Sequence, residues 1–434
     1  MSHEHKLSLS AAILISINIM VGMGLFVNTV VLTRYIGVYS SLVYVLVGLM
    51  LLPLVLSFAQ LLNLHKGAGF YDYAAPMHPL SGFISAFGYF VGRLASCALG
   101  IHVFVLFMQQ IFPPLSTVSP LVFDVGIVAF FVLFNMFGLR TGQSIQYAFL
   151  GLKAIPVIFV IVSGLYLFTG SHFQGNVFSL AGIAGSMPLA LFAFTGFETC
   201  CSLGRTIENA HRNASRALVI SYLSGVLIVV LYQFLFYAAL GEGLTHAAGY
   251  VDAFPALVKA VFPSTHDLQR FFNVLLAIGV ASSALGAAYG NMFSNSWNLF
   301  ELASEDLVPF SDRLKKLNKN NIPFVIVIIQ GIIVALYQIG SRGDQIPLQQ
   351  ITALGVTLTY TISMCALIFY QKKHLRRITL MPILGFSVCL LLLASFLSNV
   401  RLYGAVPPII FLIVLAIASV VFLVHARRTR KADV

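Results

Sequence analysis

Charged residues are scarce in this sequence. Asp, Glu, Lys and Arg make up 9% of the 434 residues, whereas 59% are hydrophobic and the mean hydropathy is +0.93. Soluble domains carry roughly 25% charged residues, so this composition excludes an ordinary soluble protein and predicts a membrane protein. The net charge of +11 does not indicate nucleic acid binding, because the basic residues lie in short connections between apolar runs. No nucleic acid partner is therefore expected.

Cysteines and catalytic motifs are also few. The five cysteines lie in apolar surroundings without paired spacing, which excludes a zinc site or a secreted disulfide framework. The sequence lacks a phosphate-binding Gly-x-x-x-x-Gly-Lys-Ser/Thr motif, a His-Glu-x-x-His motif and a repeated filter sequence. The sequence therefore disfavours transport driven directly by ATP, an intramembrane enzyme and a channel. We expect no cofactor, no metal and no enzymatic activity. A cleavable signal peptide is not expected, because the first apolar run is too long for one.

Long apolar runs dominate the rest of the chain. A helix needs about 20 apolar residues to cross a bilayer, and barrel strands would be about half as long and would alternate. The sequence predicts an all-α polytopic membrane protein of about twelve transmembrane helices. The predicted spans are Leu7–Thr33, Tyr35–Leu64, Gly82–Phe112, Leu121–Leu139, Ile145–Phe168, Ile183–Leu203, Leu218–Leu240, Phe271–Phe300, Ile322–Ile339, Ile346–Tyr370, Leu380–Val400 and Leu402–Val424.

Lysine and arginine in the connections predict the orientation. With a cytoplasmic amino terminus, 18 of the 25 Lys and Arg residues lie inside and 5 lie outside. Because basic residues are enriched in cytoplasmic loops, both termini are predicted to be cytoplasmic, in a plasma membrane or bacterial inner membrane.

Two of the apolar runs are interrupted at corresponding places. The first contains Val21-Gly22-Met23-Gly24, and the sixth contains Phe194-Thr195-Gly196-Phe197-Glu198. Paired interruptions indicate a transporter whose five-helix repeats have opposite topology, with helices 1 and 6 broken at the transport site. Close helix packing through small residues is the alternative. The predicted organisation is an N-terminal segment (1–6), two five-helix repeats in a 5+5 inverted arrangement (7–170 and 171–371), two extra helices (372–426) and a basic tail (427–434).

Four motifs carry a family resemblance. They are Val21-Gly-Met-Gly-Leu-Phe26, Lys66-Gly-Ala-Gly-Phe-Tyr-Asp-Tyr73, Phe192-Ala-Phe-Thr-Gly-Phe-Glu198 with Glu208-Asn209 and Arg212-Asn213, and Glu305-Asp-Leu-Val-Pro309 with Asn320-Asn-Ile-Pro323. In this order and spacing they resemble the amino acid–polyamine–organocation superfamily of transporters, from about Leu7 to at least Phe324.

The resemblance implies a substrate site at the two interruptions. The substrate carboxylate would meet backbone amides at Gly22, Met23 and Gly24, where a half-helix begins. The ammonium would meet carbonyls near Met20 and at Phe192, Ala193 and Thr195, and Phe192 occupies a position where some relatives have an aromatic gate. Asn291 stands where the arginine/agmatine exchanger has a large aromatic side chain, which argues against that substrate. Met23 replaces the usual serine, so a hydroxyl that would help hold the carboxylate is missing.

Two ionisable residues in the predicted spans are candidates for coupling. An ionisable group at membrane depth is costly, so Glu198 is a functional candidate, with helix capping or pairing to a basic neighbour as the alternative. Lys153 resembles the lysine that replaces sodium in proton-coupled relatives, and a lysine snorkelling to the interface is its alternative. Sodium coupling through Ser282 and Ser283 stays open. Arg93 and His102, nine residues apart, are interpreted as packing or interface residues.

Together these features predict a secondary active transporter of amino acids that works by alternating access, either proton-coupled or as an exchanger. Transport of a polyamine or another organic amine is the alternative, and a receptor that has lost transport is a remote one. The expected partners are an amino acid or amine, the lipid bilayer and a coupling proton, and a homodimer is left open.

Overall fold

The computed structural model describes residues 6–173, 179–247, 249–342 and 344–432. These ranges form α-helices and short turns, apart from an isolated β-bridge between Leu7 and Ile207. The α-helices, numbered in chain order, are α1 (Leu9–Met20), α2 (Met23–Ile36), α3 (Ser40–Leu64), α4 (Phe70–Ala74), α5 (Pro79–Ile111), α6 (Pro120–Asn135), α7 (Leu139–Tyr166), α8 (Leu180–Ala193), α9 (Thr199–Leu203), α10 (Ala210–Leu240), α11 (Gly243–His246), α12 (Tyr250–Val261), α13 (His266–Ser304), α14 (Ser311–Leu314), α15 (Phe324–Ser341), α16 (Gln345–Tyr370), α17 (Leu380–Tyr403) and α18 (Val406–Ala432).

Nine helical stretches in the described ranges are long and apolar enough to cross a membrane. They are Gly24–Leu64, Pro79–Ile111, Leu139–Tyr166, Ala210–Leu240, His266–Ser304, Phe324–Ser341, Gln345–Leu375, Leu380–Tyr403 and Val406–Arg427. Helices α1 and α6 are shorter and also apolar. A helix satisfies its backbone hydrogen bonds internally, as the bilayer requires. The protein is therefore an all-helical, multi-pass membrane protein.

Helix α5 packs against both α13 and α16, and α13 packs in turn against α7. Gly92 of α5 and Gly355 of α16 lie at the closest approach, where a Cβ added to Gly92 would be 3.0 Å from the Cα of Gly355. Residues without a side chain let two membrane helices approach this closely. This packing brings one face of α5 next to α13, which is where the candidate site lies.

The chain leaves helical geometry at both predicted interruptions. Helix α1 ends at Met20 and α2 begins at Met23, while α8 ends at Ala193 and α9 begins at Thr199. Glycine occurs at both places, and Thr195 and Glu198 add polar side chains at the second. Glycine disfavours a continuous helix, so a shorter helix forms on either side of each interruption.

The connection between Leu240 and Phe271, which lies outside the predicted spans, is largely helical. Helix α12 lies within it and packs against α13. Its buried residues recur at helical spacing, whereas Asp252 and Lys259 are exposed; the buried residues are Ala253, Phe254, Leu257 and Val258. Such a helix is amphipathic and too polar to be recognised as a span.

Several long helices also extend beyond the predicted spans. Helix α7 begins at Leu139 and not at Ile145, and α10 begins at Ala210 and not at Leu218. The apolar run marks the part of a helix at membrane depth, whereas the helix itself continues through the polar residues beside it.

Candidate functional site

The interruption between α1 and α2 exposes backbone groups at a helix start. The amide of Gly22 donates to the carbonyl of Met20 at 2.8 Å, so this amide is engaged, contrary to the expectation that it is free. The first amides of α2 belong to Met23 and Gly24 and have no partner within their own helix. They lie at the positive end of the helix dipole. This helix start can therefore receive an anionic group.

The second interruption packs directly on the first. Gly196 has a φ of +111°, which side chains with a Cβ rarely adopt. A Cβ added to Gly196 would lie 3.0 Å from Cγ2 of Ile19 and 3.4 Å from its carbonyl oxygen. Nearby, Ser16 Oγ of α1 lies 3.2 Å from Cys200 Sγ of α9. The two interruptions are therefore neighbours, although the chain separates them widely.

A cavity of about 250 Å³ opens beside the interruptions. Its walls come from the α1–α2 interruption, α5, the α8–α9 interruption, α13 and the start of α16. Five of the eight candidate substrate-binding residues line it: Met20, Gly22, Gly24, Thr195 and Asn291. Ala193 is buried and does not belong to the lining. The side chains of Met23 and Phe192 lie outside the described part of the chain.

Glu198 is fully buried behind the cavity and has three partners. Its carboxylate accepts hydrogen bonds from the Gly196 amide at 2.9 Å and from the Tyr89 hydroxyl at 3.0 Å. The Arg93 guanidinium lies 3.8 Å away, through Nη1. Glu198 therefore pairs with a basic neighbour, whereas its side chain makes no capping hydrogen bond to the start of α9. Its functional role stays a prediction.

Arg93 lies at the candidate substrate site, contrary to the expectation that it is a packing or interface residue. Only 4% of its side chain is exposed, and it lines the cavity. Its Nη2 donates to Asn291 Oδ1 at 2.5 Å. Charged residues are rare at membrane depth, so the position of Arg93 within a predicted span could have marked it as a functional candidate. Its partners could not be identified, because Glu198 and Asn291 are distant in the sequence.

His102, the other residue of α5 interpreted in this way, lies apart from that cluster. Its Nδ1 is 2.7 Å from Asp124 Oδ2, and both side chains are buried between α5 and α6. This pair joins two helices and does not line the cavity.

Lys153 reaches the end of α1. Its side chain is buried, and its Nζ donates to the Asn18 carbonyl at 2.5 Å. Asn18 lies in the last turn of α1, where the helix dipole favours a cation. Ser283 Oγ donates to the Val21 carbonyl at 3.3 Å in the same interruption. Lys153 therefore does not snorkel to the interface, and it does not line the cavity.

A second polar cluster joins the α3–α4 turn to α13. Arg205 Nη2 lies 2.5 Å from Asp72 Oδ2 and 3.2 Å from Glu301 Oε1. The Gly69 amide donates to the same Glu301 oxygen at 2.8 Å. Burial acts to lower the pKa of the Arg205 guanidinium, but the carboxylates of Glu301 and Asp72 outweigh it and raise that pKa. Arg205, Glu301 and Gly69 line a separate cavity of about 280 Å³.

Known proteins resemble the chain over most of its length. It is 24% identical over 425 residues to a D-serine/D-alanine/glycine transporter of Escherichia coli (strain K12), an alignment covering 90% of this chain and 86% of the relative. It is 23% identical over 415 residues to a serine/threonine exchanger of Bacillus subtilis (strain 168), covering 91% and 90%. An uncharacterized transporter of Mycobacterium tuberculosis (strain ATCC 25618 / H37Rv) is 24% identical over 406 residues, covering 85% and 81%.

The family comparison agrees with the four motifs found in the sequence. The amino acid permease family matches residues 7–429, which is nearly the whole chain. The resemblance to the amino acid–polyamine–organocation superfamily is thereby confirmed. The chain belongs to the amino acid permease family, and its function is amino acid transport.

Proposed function

We propose that the protein is a secondary active carrier of small neutral amino acids, and that the cavity beside the two interruptions is its substrate site. One observation carries the proposal: five candidate residues from distant parts of the sequence line a single cavity beside two adjoining interruptions. Two relatives are named for small neutral amino acids: D-serine, D-alanine and glycine for one, serine and threonine for the other. These names support a small neutral substrate.

The substrate carboxylate binds at the start of α2. The amides of Met23 and Gly24 are its donors, and Gly22 leaves room for it because it has no side chain. The ammonium group binds carbonyls at the ends of α1 and α8, which are the negative ends of these helix dipoles. We propose that Met20 and Thr195, which line the cavity, supply them together with the neighbouring carbonyls of Phe192 and Ala193.

The finer architecture that we propose has twelve spans. Residues 7–170 and 171–371 form two five-helix repeats of opposite topology, residues 372–426 add two helices, and both termini face the cytoplasm. The adjoining interruptions support this arrangement, because inverted repeats bring their broken helices together at the membrane midplane. The protein acts in the plasma membrane and carries its substrate by alternating access.

Lys153 provides the coupling in this proposal. Its ammonium occupies a place beside the end of α1 where a cation is favoured, which supports proton coupling in place of sodium coupling. Burial disfavours the charged form of a lysine, so Lys153 can exchange its proton during a transport cycle. Substrate exchange without a net ion flux is the alternative that the same carrier allows. Sodium would require Ser282 and Ser283, and Ser282 Oγ donates to Gly279 within its own helix.

A binding and transport experiment on the purified protein tests the proposal. Serine, alanine or glycine should raise the melting temperature, because a ligand at about 100 times its Kd stabilises the folded state by about 2.7 kcal/mol. Liposomes loaded with the same unlabelled amino acid should then take up labelled substrate by exchange. A protein that no amino acid stabilises, and that exchanges none of them, would contradict the proposal.

A further inference from the structure

Arg93 is the one charged side chain among the described residues that line the substrate cavity. The other lining residues are apolar, small or neutral and polar, including Ser96, Asn291 and Gln349. Neither Asp nor Glu occurs among them. The substrate's α-ammonium group is bound by the helix-end carbonyls, but a second cationic group on the substrate would find a fixed positive charge in the cavity wall and no carboxylate there to neutralise it.

The Glu198 carboxylate balances the charge of Arg93 and does not line the cavity. Glu198 is fully buried and is already bound by Tyr89 and Gly196. Arg93 Nη2 bonds Asn291, which also lines the cavity. The ion pair is thus oriented, with its positive end towards the substrate and its negative end towards the protein. A buried pair with this orientation repels cations in the cavity, since charges interact strongly where water is excluded.

We infer that Arg93 acts against cationic substrates: it excludes cationic amino acids and polyamines from the site, whereas neutral amino acids meet no such repulsion. This inference rests on the proposed function and specifies its substrate class. Like charges placed next to each other are unfavourable and suppress the wrong binding partner, which makes such a residue effective for exclusion. A guanidinium keeps its proton throughout the physiological pH range, so the exclusion does not depend on pH.

Pairs of ligands with the same shape test the inference on the natural protein. Norvaline and 2,4-diaminobutyrate differ by a terminal methyl and a terminal ammonium group. We expect norvaline to inhibit serine exchange at a concentration at least about tenfold lower than 2,4-diaminobutyrate, a ratio equivalent to about 1.4 kcal/mol. Equal inhibition by the two would overturn the inference while leaving the proposed function intact. A failure of every amino acid to exchange would instead count against the proposed function.

Three variants then locate the exclusion. Arg93→Lys keeps the positive charge and should keep the preference for norvaline. Arg93→Gln leaves the Glu198 carboxylate without its cation, so the preference should reverse towards 2,4-diaminobutyrate. The double variant Arg93→Gln/Glu198→Gln removes both charges. The inhibiting concentrations of the two ligands should then differ by no more than about threefold, compared with at least about tenfold, or about 1.4 kcal/mol, in the natural protein.

The double variant keeps the test informative if the single Arg93→Gln variant does not fold, because it leaves no unpaired buried charge. Its ligand preference can be measured by thermal shift when transport is lost. A double variant that still prefers norvaline by the full natural ratio would overturn the inference, since the selectivity would then come from the cavity shape. Loss of the preference in Arg93→Lys would overturn it as well.

Discussion

Gly196, between α8 and α9, packs directly on Ile19 near the end of α1. The two residues are 177 positions apart in the sequence, and a Cβ on Gly196 would lie 3.0 Å from Cγ2 of Ile19. The φ of Gly196 is +111°. The two interruptions therefore form one unit, and a change in one of them acts on the other.

Gly196→Ala should destabilise the protein through both effects. The positive φ strains an alanine by about 1–3 kcal/mol, and the added methyl group presses on Ile19. We expect a lower melting temperature and weaker substrate binding in detergent-purified protein. Gly126→Ala is the matched control, because a Cβ on Gly126 meets nothing within 4 Å. Equal melting temperatures for the two variants would contradict the close packing.

Gly22 offers a graded test of the substrate site. A Cβ at this position would be 3.4 Å from the Ala287 Cβ, an ordinary contact, so Gly22→Ala should fold and bind substrate less tightly. Gly22→Leu should abolish binding, because the larger side chain enters the cavity that Gly22 lines. Membrane insertion should stay normal in both. Substrate affinity unchanged in Gly22→Leu would show that the interruption serves packing alone.

The positions of the interruptions could be predicted because their cause is local. Glycine and polar residues break an apolar run, and the helices end at those residues whatever surrounds them. The lengths of the helices were less predictable. The run of apolar residues identifies the portion at membrane depth, whereas α7 and α10 continue through polar residues and α12 forms in a connection without a long apolar run.

The cluster of Arg93, Glu198 and Asn291 could not be predicted, because its cause is not local. The three residues come from α5, the α8–α9 interruption and α13, and Arg93 and Asn291 are 198 positions apart. Hydropathy identifies each helix but does not specify which helices adjoin or which faces meet. Lys153 illustrates the same limit: its depth in the span could be estimated, but its hydrogen bond to Asn18 could not.

Glu198→Gln tests the ion pair with Arg93. The amide keeps the shape: its one carbonyl oxygen can accept from the Gly196 amide, and its NH2 group can donate to the Tyr89 hydroxyl oxygen. It leaves the Arg93 charge unpaired. Removing one partner of a buried ion pair costs about 3–5 kcal/mol, so transport and stability should both fall. Tyr89→Phe removes a neutral donor and should have a smaller effect on both. Transport and a melting temperature unchanged in Glu198→Gln would contradict the ion pair with Arg93.

Arg205 should matter more than Asp72 in the second polar cluster. Glu301 is buried, whereas 26% of the Asp72 side chain is exposed. Arg205→Ala leaves the buried carboxylate with the Gly69 amide and no cation, and we expect a loss of about 2 kcal/mol, below the range for fully buried pairs. Asp72→Asn should cost less than about 1 kcal/mol, as for exposed pairs. Thermal unfolding of both variants measures the difference, and a larger loss in Asp72→Asn would contradict this ranking.

Lys153 discriminates between coupling ions. If its ammonium takes the place of sodium beside the end of α1, uptake by the natural protein should ignore sodium and follow an inward proton gradient. Lys153→Ala should lose the response to that gradient, because no neutral side chain can bind and release the proton. Substrate exchange should persist in this variant, since Lys153 does not line the cavity.

Lys153→Arg separates the need for a positive charge from the need for a charge that can be released. Arginine keeps its proton at physiological pH, so this variant should fill the position next to the Asn18 carbonyl and still fail to couple. Uptake is measured in liposomes with sodium and proton gradients imposed separately. Sodium-driven uptake by the natural protein, or full proton-driven uptake by the alanine variant, would refute the coupling role, and exchange alone would then account for transport.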